Sequence, residues 1–435
     1  MSLFPTPRAA AVVALLSVPA ALAPPQLGWL LLLNVSWLAL LAFDGVAAVS
    51  PRRLQLCRRL PDSLGLGQTG QLAWEVHNPT NRAVRIALAD DVPPSWRIGD
   101  RRARMVVPAH ATVIRRQPIR PARRGRFALA ELTLRTYGPL GMVARQCSLE
   151  VPGTLRVIPA FPSRAATELR LDRSRLLEVG LRSTKGRGGG TDFDQLRDYQ
   201  VDDDYRRLDW AATARRGHPV VRTYRAERNQ QILVLLDTGR VMASTVQGAA
   251  RLEHALDAIM ALAIAASRLG DRVAFMAHDV QARVALPPLD RADRAPLLVD
   301  AMVELQPRLV ETDYRLACTQ LDARFRRRSL VVVVTDLAEA VTLEQLVPAV
   351  RLLARRHLVM VAAVADPDLG RWADDAAVDI DGAYRKAAAS RVLEQRRTIR
   401  LALGQLGMGV LDEVPGRLPL ALVDAYLAMK AEQRL

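Results

Sequence analysis

Residues Gly190 to Asp237 read GTDFDQLRDYQVDDDYRRLDWAATARRGHPVVRTYRAERNQQILVLLD. Asp192, Asp194, Asp198, Asp202, Asp203, Asp204 and Asp209 alternate with Arg197, Arg206, Arg207, Arg215, Arg216, Arg222, Arg225 and Arg228. Phe193, Tyr199, Tyr205, Trp210 and Tyr224 stand between them. A solvated tail carries like charges in blocks and lacks rings, so this segment is built to fold onto something. Three adjacent aspartates repel one another, and arginine is the cation whose planar fork pairs carboxylates bidentately. Two readings stay open, a charge-paired clamp or an acidic catalytic or metal cluster, because both perturb carboxylates.

The stretch ends on an uninterrupted apolar run, Ile232 to Leu236. Runs of this kind mark strands buried on both faces. Beyond it, Arg251 to Leu269 places Leu252, Ala255, Leu256, Ile259, Met260, Ala263 and Ala266 on one helical face, and Gly270 closes it. Arg272 to Ala277 and Gln281 to Leu286 read as strands about a His278-Asp279 turn. Leu330 to Val334 and Leu358 to Val364 are further buried runs. Between them Thr342 and Gln345 form a capping-box pattern for a helix to His357, and a helix over Leu418 to Lys430 ends the fold. Such alternation predicts a mostly parallel, doubly wound α/β sheet. Ligands of these sheets bind at the carboxyl ends of the strands, which is where Asp237 and Asp336 fall.

Within the opening stretch, FDQLRDYQVDDDYRRLDWAATAR resembles the signature of the domain-of-unknown-function 58 family. These are bacterial membrane-anchored proteins in which F-x-x-L-R-x-Y-x-x-G-D-D-x-R-x-I-D-W precedes a von Willebrand factor A-like domain. Phe193, Leu196, Arg197, Tyr199, Asp203, Asp204, Arg206, Asp209, Trp210 and Arg215 fall on the pattern, and Asp202 stands where the family has Gly. The resemblance implies a von Willebrand factor A-like fold, which often binds Mg²⁺ through Asp-x-Ser-x-Ser, a Thr from a later loop and a further Asp. Here Asp237-Thr238-Gly239-Arg240-Val241 lacks both serine oxygens, while Thr312 and Asp336 stand for the other two. The site is read as degenerate, with Arg240 satisfying carboxylates and no cofactor required. Mg²⁺ held by Asp237, Thr312, Asp336 and waters is the alternative. The resemblance also implies a MoxR-type AAA+ ATPase as partner and a role in assembling or remodelling envelope complexes.

Towards the N-terminus, Ala9 to Ala23 and Leu27 to Val49 are apolar runs separated by Pro24, Pro25 and Gln26. As helix, the second spans about 35 Å, enough to cross a bilayer core, with Trp29 as an interfacial anchor and Asp44 placed at the headgroups. Arg8 precedes the first run and Arg52, Arg53, Arg58 and Arg59 follow the second, so both ends face the cytoplasm. A transmembrane helical hairpin over 1–51 is expected. The competing reading is a signal peptide ending at Ala21-Leu22-Ala23, although proline follows directly.

From Leu54 to Pro159 the period changes to two. QLAWEVHN, AVRIALAD, ATVIRRQPI and FALAELTLR each alternate, with Asn78-Pro79, Pro93-Pro94 and Pro108 between them, as in an all-β, immunoglobulin-like sandwich. Arg123 to Met142 and Val157-Ile158-Pro159 resemble the end of the corresponding family domain. The expected organisation is hairpin 1–51, β-sandwich 52–160, linker and signature 161–230, and α/β domain 231–435.

The formal charge of +16 is carried by Arg, since Lys occurs only at 185, 386 and 430. From Arg52 to Ala130 there are 16 Arg against five acids, which suits an anionic lipid surface better than nucleic acid. Cys57, Cys147 and Cys318 form no disulfide framework, and the six histidines have no ligand spacing. Lys185 to Gly190 is no phosphate loop, because its Lys precedes the glycines. The expectation is a non-enzymatic interaction protein of the inner membrane with its bulk in the cytoplasm. The alternative is a metal-assisted hydrolase using Asp202, Asp203, Asp204 or Asp209.

Overall fold

A computed structural model describes residues 2–22, 27–173, 192–200, 205, 208–225, 230–289, 295–338 and 340–432. The chain divides into two compact units, Met1–Ala160 and Phe161–Leu435.

The first unit opens with strand β1 (Ser2–Pro5) and helices α1 (Pro7–Leu22) and α2 (Leu27–Ala47). Among the described residues one stretch, Leu31–Arg53, is long and apolar enough to cross a membrane. Trp29, Leu31, Leu32, Val35, Leu38 and Phe43 of α2 are exposed, an all-round apolar surface that water does not favour.

Eight strands follow: β2 (Gln55–Arg59), β3 (Ser63–Gly65), β4 (Gly70–His77), β5 (Val84–Asp90), β6 (Arg102–Val107), β7 (Thr112–Ile119), β8 (Gly125–Tyr137) and β9 (Val143–Ile158). One sheet has the order β1-β9-β8-β5-β6 with β3 added to β9, and the other has the order β2-β4-β7. Their alternation is read directly in burial. Leu72, Trp74 and Val76 of β4 point into one apolar cluster with Ile86 and Leu88 of β5, Leu132 and Leu134 of β8 and Leu155 of β9. That cluster holds one ion pair, Arg58 to Asp90, with both side chains at 0 % exposure. Trp74 Nε1 also donates to Asp90 at 2.6 Å, and Arg58 donates to the carbonyls of Val151 and Glu131, so the buried charges are satisfied on every side.

Asp44, expected at the headgroups, is enclosed by the protein's own backbone. It is fully buried, and its carboxylate accepts from the backbone N–H groups of Leu140 at 2.7 Å and of Met142 and Val143 at 2.8 Å. The end of α2 thereby fastens the turn between β8 and β9. Gly138 is required in that turn, because a Cβ there would collide with the Asp44 carboxylate.

The second unit starts at Phe161, so the 161–230 stretch does more than link. Its helical segment 164–173 (α3) contributes Leu171 to the α/β core, and Ser163 Oγ donates to Asp257 at 2.7 Å. Strand β10 (Asp192–Asp198) pairs antiparallel with β11 (Val220–Arg225), and α4 (Trp210–Arg216) lies between them in sequence.

The main sheet begins with β12 (Gln231–Asp237). A small hairpin of β13 (Thr245–Val246) and β14 (Ala249–Ala250) leads into α5 (Arg251–Arg268). Then come β15 (Arg272–His278), β16 (Ala282–Leu289), α6 (Ala295–Val303), α7 (Tyr314–Arg324), β17 (Leu330–Thr335), α8 (Ala340–Ala354), β18 (Leu358–Val364), α9 (Pro367–Asp374), α10 (Ile380–Gln405), β19 (Gly409–Glu413) and α11 (Leu418–Ala431). The strand order is β16-β15-β12-β17-β18-β19, parallel except for the β16 edge.

Side-chain period two places Ile232, Val234 and Leu236 in one core with α5 and α11, and Leu233 and Leu235 in another with α7, α8 and α10. Helices therefore cover both faces, which is why the central strands carry no polar residue until their ends. The Thr342 capping pattern does not start its helix, since α8 begins two residues earlier at Ala340.

Candidate functional site

Strand β12 is followed in sequence by β15 on one side of it and later by β17 on the other. The order reverses at β12, and the crevice at such a reversal is the ligand site of open α/β sheets. Asp237 and Thr238 emerge from β12 there, His278 from β15, and Thr335 and Asp336 from β17. All five are buried.

Asp237 is surrounded by donors. Its Oδ1 accepts from Gly239 N at 2.7 Å and Thr312 Oγ1 at 2.5 Å. Its Oδ2 accepts from the phenol of Tyr314 and from Thr335 Oγ1, both at 2.6 Å. Four bonds use the four lone-pair positions of a carboxylate. Burial, reinforced by the Asp237 charge, holds the Tyr314 phenol well above its usual range, so it stays a proton donor. Asp313, immediately before Tyr314, caps α7 by accepting from Leu316 N, which fixes the direction in which the tyrosine leaves its helix.

Gly239 occupies the first serine position of the metal pattern for a steric reason. A Cβ there would lie 2.8 Å from the Val310 carbonyl and collide with Thr312 Oγ1. The loop before α7 thus sits directly on the loop after β12, held by Arg240 N to Val310 O and Arg308 N to Thr238 O, each 2.8 Å.

Asp336 belongs to a different network. Arg251 Nη1 reaches its Oδ2 at 2.5 Å and Arg396 Nη1 its Oδ1 at 2.6 Å. Arg396 also pairs with Asp412 through two nitrogens and donates to the Val364 carbonyl at 3.2 Å, which ties together the ends of β17, β18 and β19. Burial pulls the Arg396 guanidinium down, but Asp336 and Asp412 outweigh it and its pKa rises. Burial lowers that of Arg251 despite Asp336. Both stay cationic, since arginine starts so far above neutrality.

Arg240, expected to serve these carboxylates, instead points to Glu311 at 3.4 Å with both side chains about half exposed. The residues do not fit a divalent ion as arranged. One carboxylate has its lone pairs filled, the other is clamped by two cations, and Thr312 has turned its hydroxyl proton to Asp237. Among the described residues no three His, Cys, Asp or Glu side chains gather as metal ligands.

The family-signature residues lie elsewhere. Asp209 is buried and caps α4, accepting from Ala212 N at 3.0 Å, which is a structural task. Phe193, Leu196 and Arg197 lie on β10, whose partner is β11, and Tyr199 N donates to the Pro219 carbonyl. Trp210 and Tyr205 are exposed, and Arg215 Nε donates to Ala211 O. Asp202, Asp203, Asp204 and Arg206 lie outside the described residues.

Residue-by-residue reading named Asp237, Thr312 and Asp336 but not Tyr314, Thr335, Arg251 or Arg396. One signal was available for Arg396. It shares a helical stripe with Ala389, Ile399 and Leu403, and a charge on an apolar stripe implies a buried partner.

Residues 195–404 match the family model described as "Protein of unknown function DUF58". The chain is 28% identical over 232 residues to "Uncharacterized protein Rv1480" of Mycobacterium tuberculosis and to "Uncharacterized protein Mb1516" of Mycobacterium bovis, covering 49% of this chain and 72% of each relative. Among solved structures it is similar to the conserved hypothetical protein BatB from Bacteroides thetaiotaomicron (16% identity, TM-score 0.31, 47% of this chain and 100% of that one). It is also similar to a protein of unknown function from Porphyromonas gingivalis (16% identity, TM-score 0.21, 26% and 50%). Helix α4, strand β11 and the sheet strands β12 and β15 to β18 fall inside the matched span, and over those residues the chain is similar to the DUF58 family.

Proposed function

We propose that this protein is a membrane-anchored, non-enzymatic interaction protein whose α/β unit, folded like a von Willebrand factor A domain, grips a protein partner with the loops at the carboxyl edge of its sheet. The observation that carries this reading is Leu309. It is 83 % exposed on the loop that covers Asp237, with Arg240, Arg308 and Glu311 close by in the same pair of loops. An exposed apolar side chain with charged neighbours is the composition of a contact surface, while the acids beneath it are already occupied by internal donors.

The anchor is a helical hairpin formed by α1 and α2, with the bulk of the chain on the cytoplasmic side of the inner membrane. Its support is that both ends return to the same strand. Ser2–Pro5 pair with Val143–Gln146 of β9, and Asp44 and Gly45 at the end of α2 hold Val143 N and Arg145 Nε. A chain that leaves a sheet edge and comes back to it has crossed an even number of times.

The family resemblance supplies the candidate partner, a MoxR-type AAA+ ATPase, with assembly or remodelling of envelope complexes as the process. The test is a pulldown of full-length protein from membranes, with ATP and without. Recovery of such an ATPase by the wild type and its loss with Leu309→Glu is the expected result. No ATPase in either nucleotide state overturns the reading.

A further inference from the structure

The first unit contains a cleft of about 680 Å³ that the functional reading above does not use. Val46, Val49 and Ser50, from the end of α2 and the residues after it, form one side, and Arg53, Arg82 and Arg145 line it as well. No Asp or Glu is among the described residues that line it. Three guanidinium groups around one concavity, with no carboxylate to neutralise them, attract an anion.

The position of the cleft narrows the choice of anion. The candidate membrane span is Leu31–Arg53, so Arg53 is its last residue and the cleft opens beside its end. Val46 at the rim is 79 % exposed, an apolar contact for an acyl chain next to the charges. Arg145 is already aimed, since its Nε donates to the Gly45 carbonyl at 2.9 Å. Arg53 and Arg82 are exposed at the surface of the same cleft.

We infer that this cleft binds the phosphate headgroup of an anionic phospholipid of the leaflet at the C-terminal end of the second helix. The site rests on the proposal that α2 spans the membrane. A phosphodiester answers the three guanidinium groups, and the acyl chains continue along the exposed face of α2.

The test uses the full-length protein in neutral detergent, mixed with equimolar dioleoylphosphatidylglycerol and dioleoylphosphatidylcholine and read by native mass spectrometry. Phosphatidylglycerol adducts are expected to exceed phosphatidylcholine adducts on the order of tenfold. Arg53→Gln with Arg82→Gln should bring the ratio near one; Arg145 is left intact because its bond to Gly45 supports the fold. An unchanged circular-dichroism melt of the double variant shows that folding is not the cause.

Equal adducts in the wild type, or a preference that survives the double variant, overturns the site. Displacement of the lipid by millimolar inorganic phosphate also overturns it, since the ligand would then be free phosphate. Alkaline carbonate extraction separates the two ideas. Protein released to the supernatant removes the spanning reading and the site with it, whereas protein retained in the pellet without lipid preference removes the site alone.

Discussion

The phenol oxygen of Tyr314 lies 2.6 Å from Oδ2 of Asp237, across 77 residues of sequence. With Thr312, Thr335 and Gly239 it makes a closed donor shell around a carboxylate that is 2 % exposed. Tyr314→Phe removes one donor from a buried charge and is expected to cost about 1.5–3 kcal/mol of unfolding free energy. Urea unfolding of the full-length protein, followed by proteolysis of the α/β unit, measures it. Calorimetric titration of the wild type with Mg²⁺ is expected to give no saturable heat, and saturable heat lost in Asp237→Ala would show that the shell opens for a metal.

Two kinds of ion pair in this unit invite a direct comparison. Asp336 is 1 % exposed between Arg251 and Arg396, whereas Asp424 pairs with Arg170 at a surface where both side chains are about half exposed. Asp336→Asn leaves two buried cations short of an anion and should cost about 3–5 kcal/mol. Asp424→Asn should cost no more than about 1 kcal/mol. Equal losses would mean that the buried clamp is not what ties the strand ends.

Acid should weaken the α/β unit through two histidines. His278 and His357 are buried, and burial is the main cause that lowers the pKa of each. A histidine with a depressed folded-state pKa binds fewer protons folded than unfolded. Its contribution is therefore complete above the unfolded value of about 6.5 and is lost as pH falls below it. Each can contribute a slope of at most about 1.4 kcal/mol per pH unit. Unfolding free energies at pH 7.5 and 5.5 should differ in that direction, and His278→Gln should reduce the difference.

Thiol reactivity should separate the three cysteines. Cys57 is exposed, while burial raises the Cys147 thiol and pushes Cys318 up to about 12. The thiolate is the reactive form, so the native protein should modify one thiol rapidly and the other two only on unfolding. Rapid modification of Cys318, read by peptide mapping, would contradict the burial of α7 against the sheet.

Hydrophobic period alone determined the main elements. QLAWEVHN, AVRIALAD and the apolar runs after Gln231 carry their burial pattern in the order of residues, because strand and helix geometry convert spacing into facing. The same reading placed Asp237 and Asp336 at strand ends, since an apolar run that stops at an acid has reached the edge of its sheet.

What only the tertiary structure decided is which distant groups meet there. Tyr314 and Thr335 close on Asp237, Arg251 and Arg396 on Asp336, and the turn at Gly138 on Asp44. Partners of this kind are brought together by sheet order and helix direction, which no local spacing encodes. A carboxylate's neighbours, not its own position in the chain, set whether it can hold a metal or only a fold.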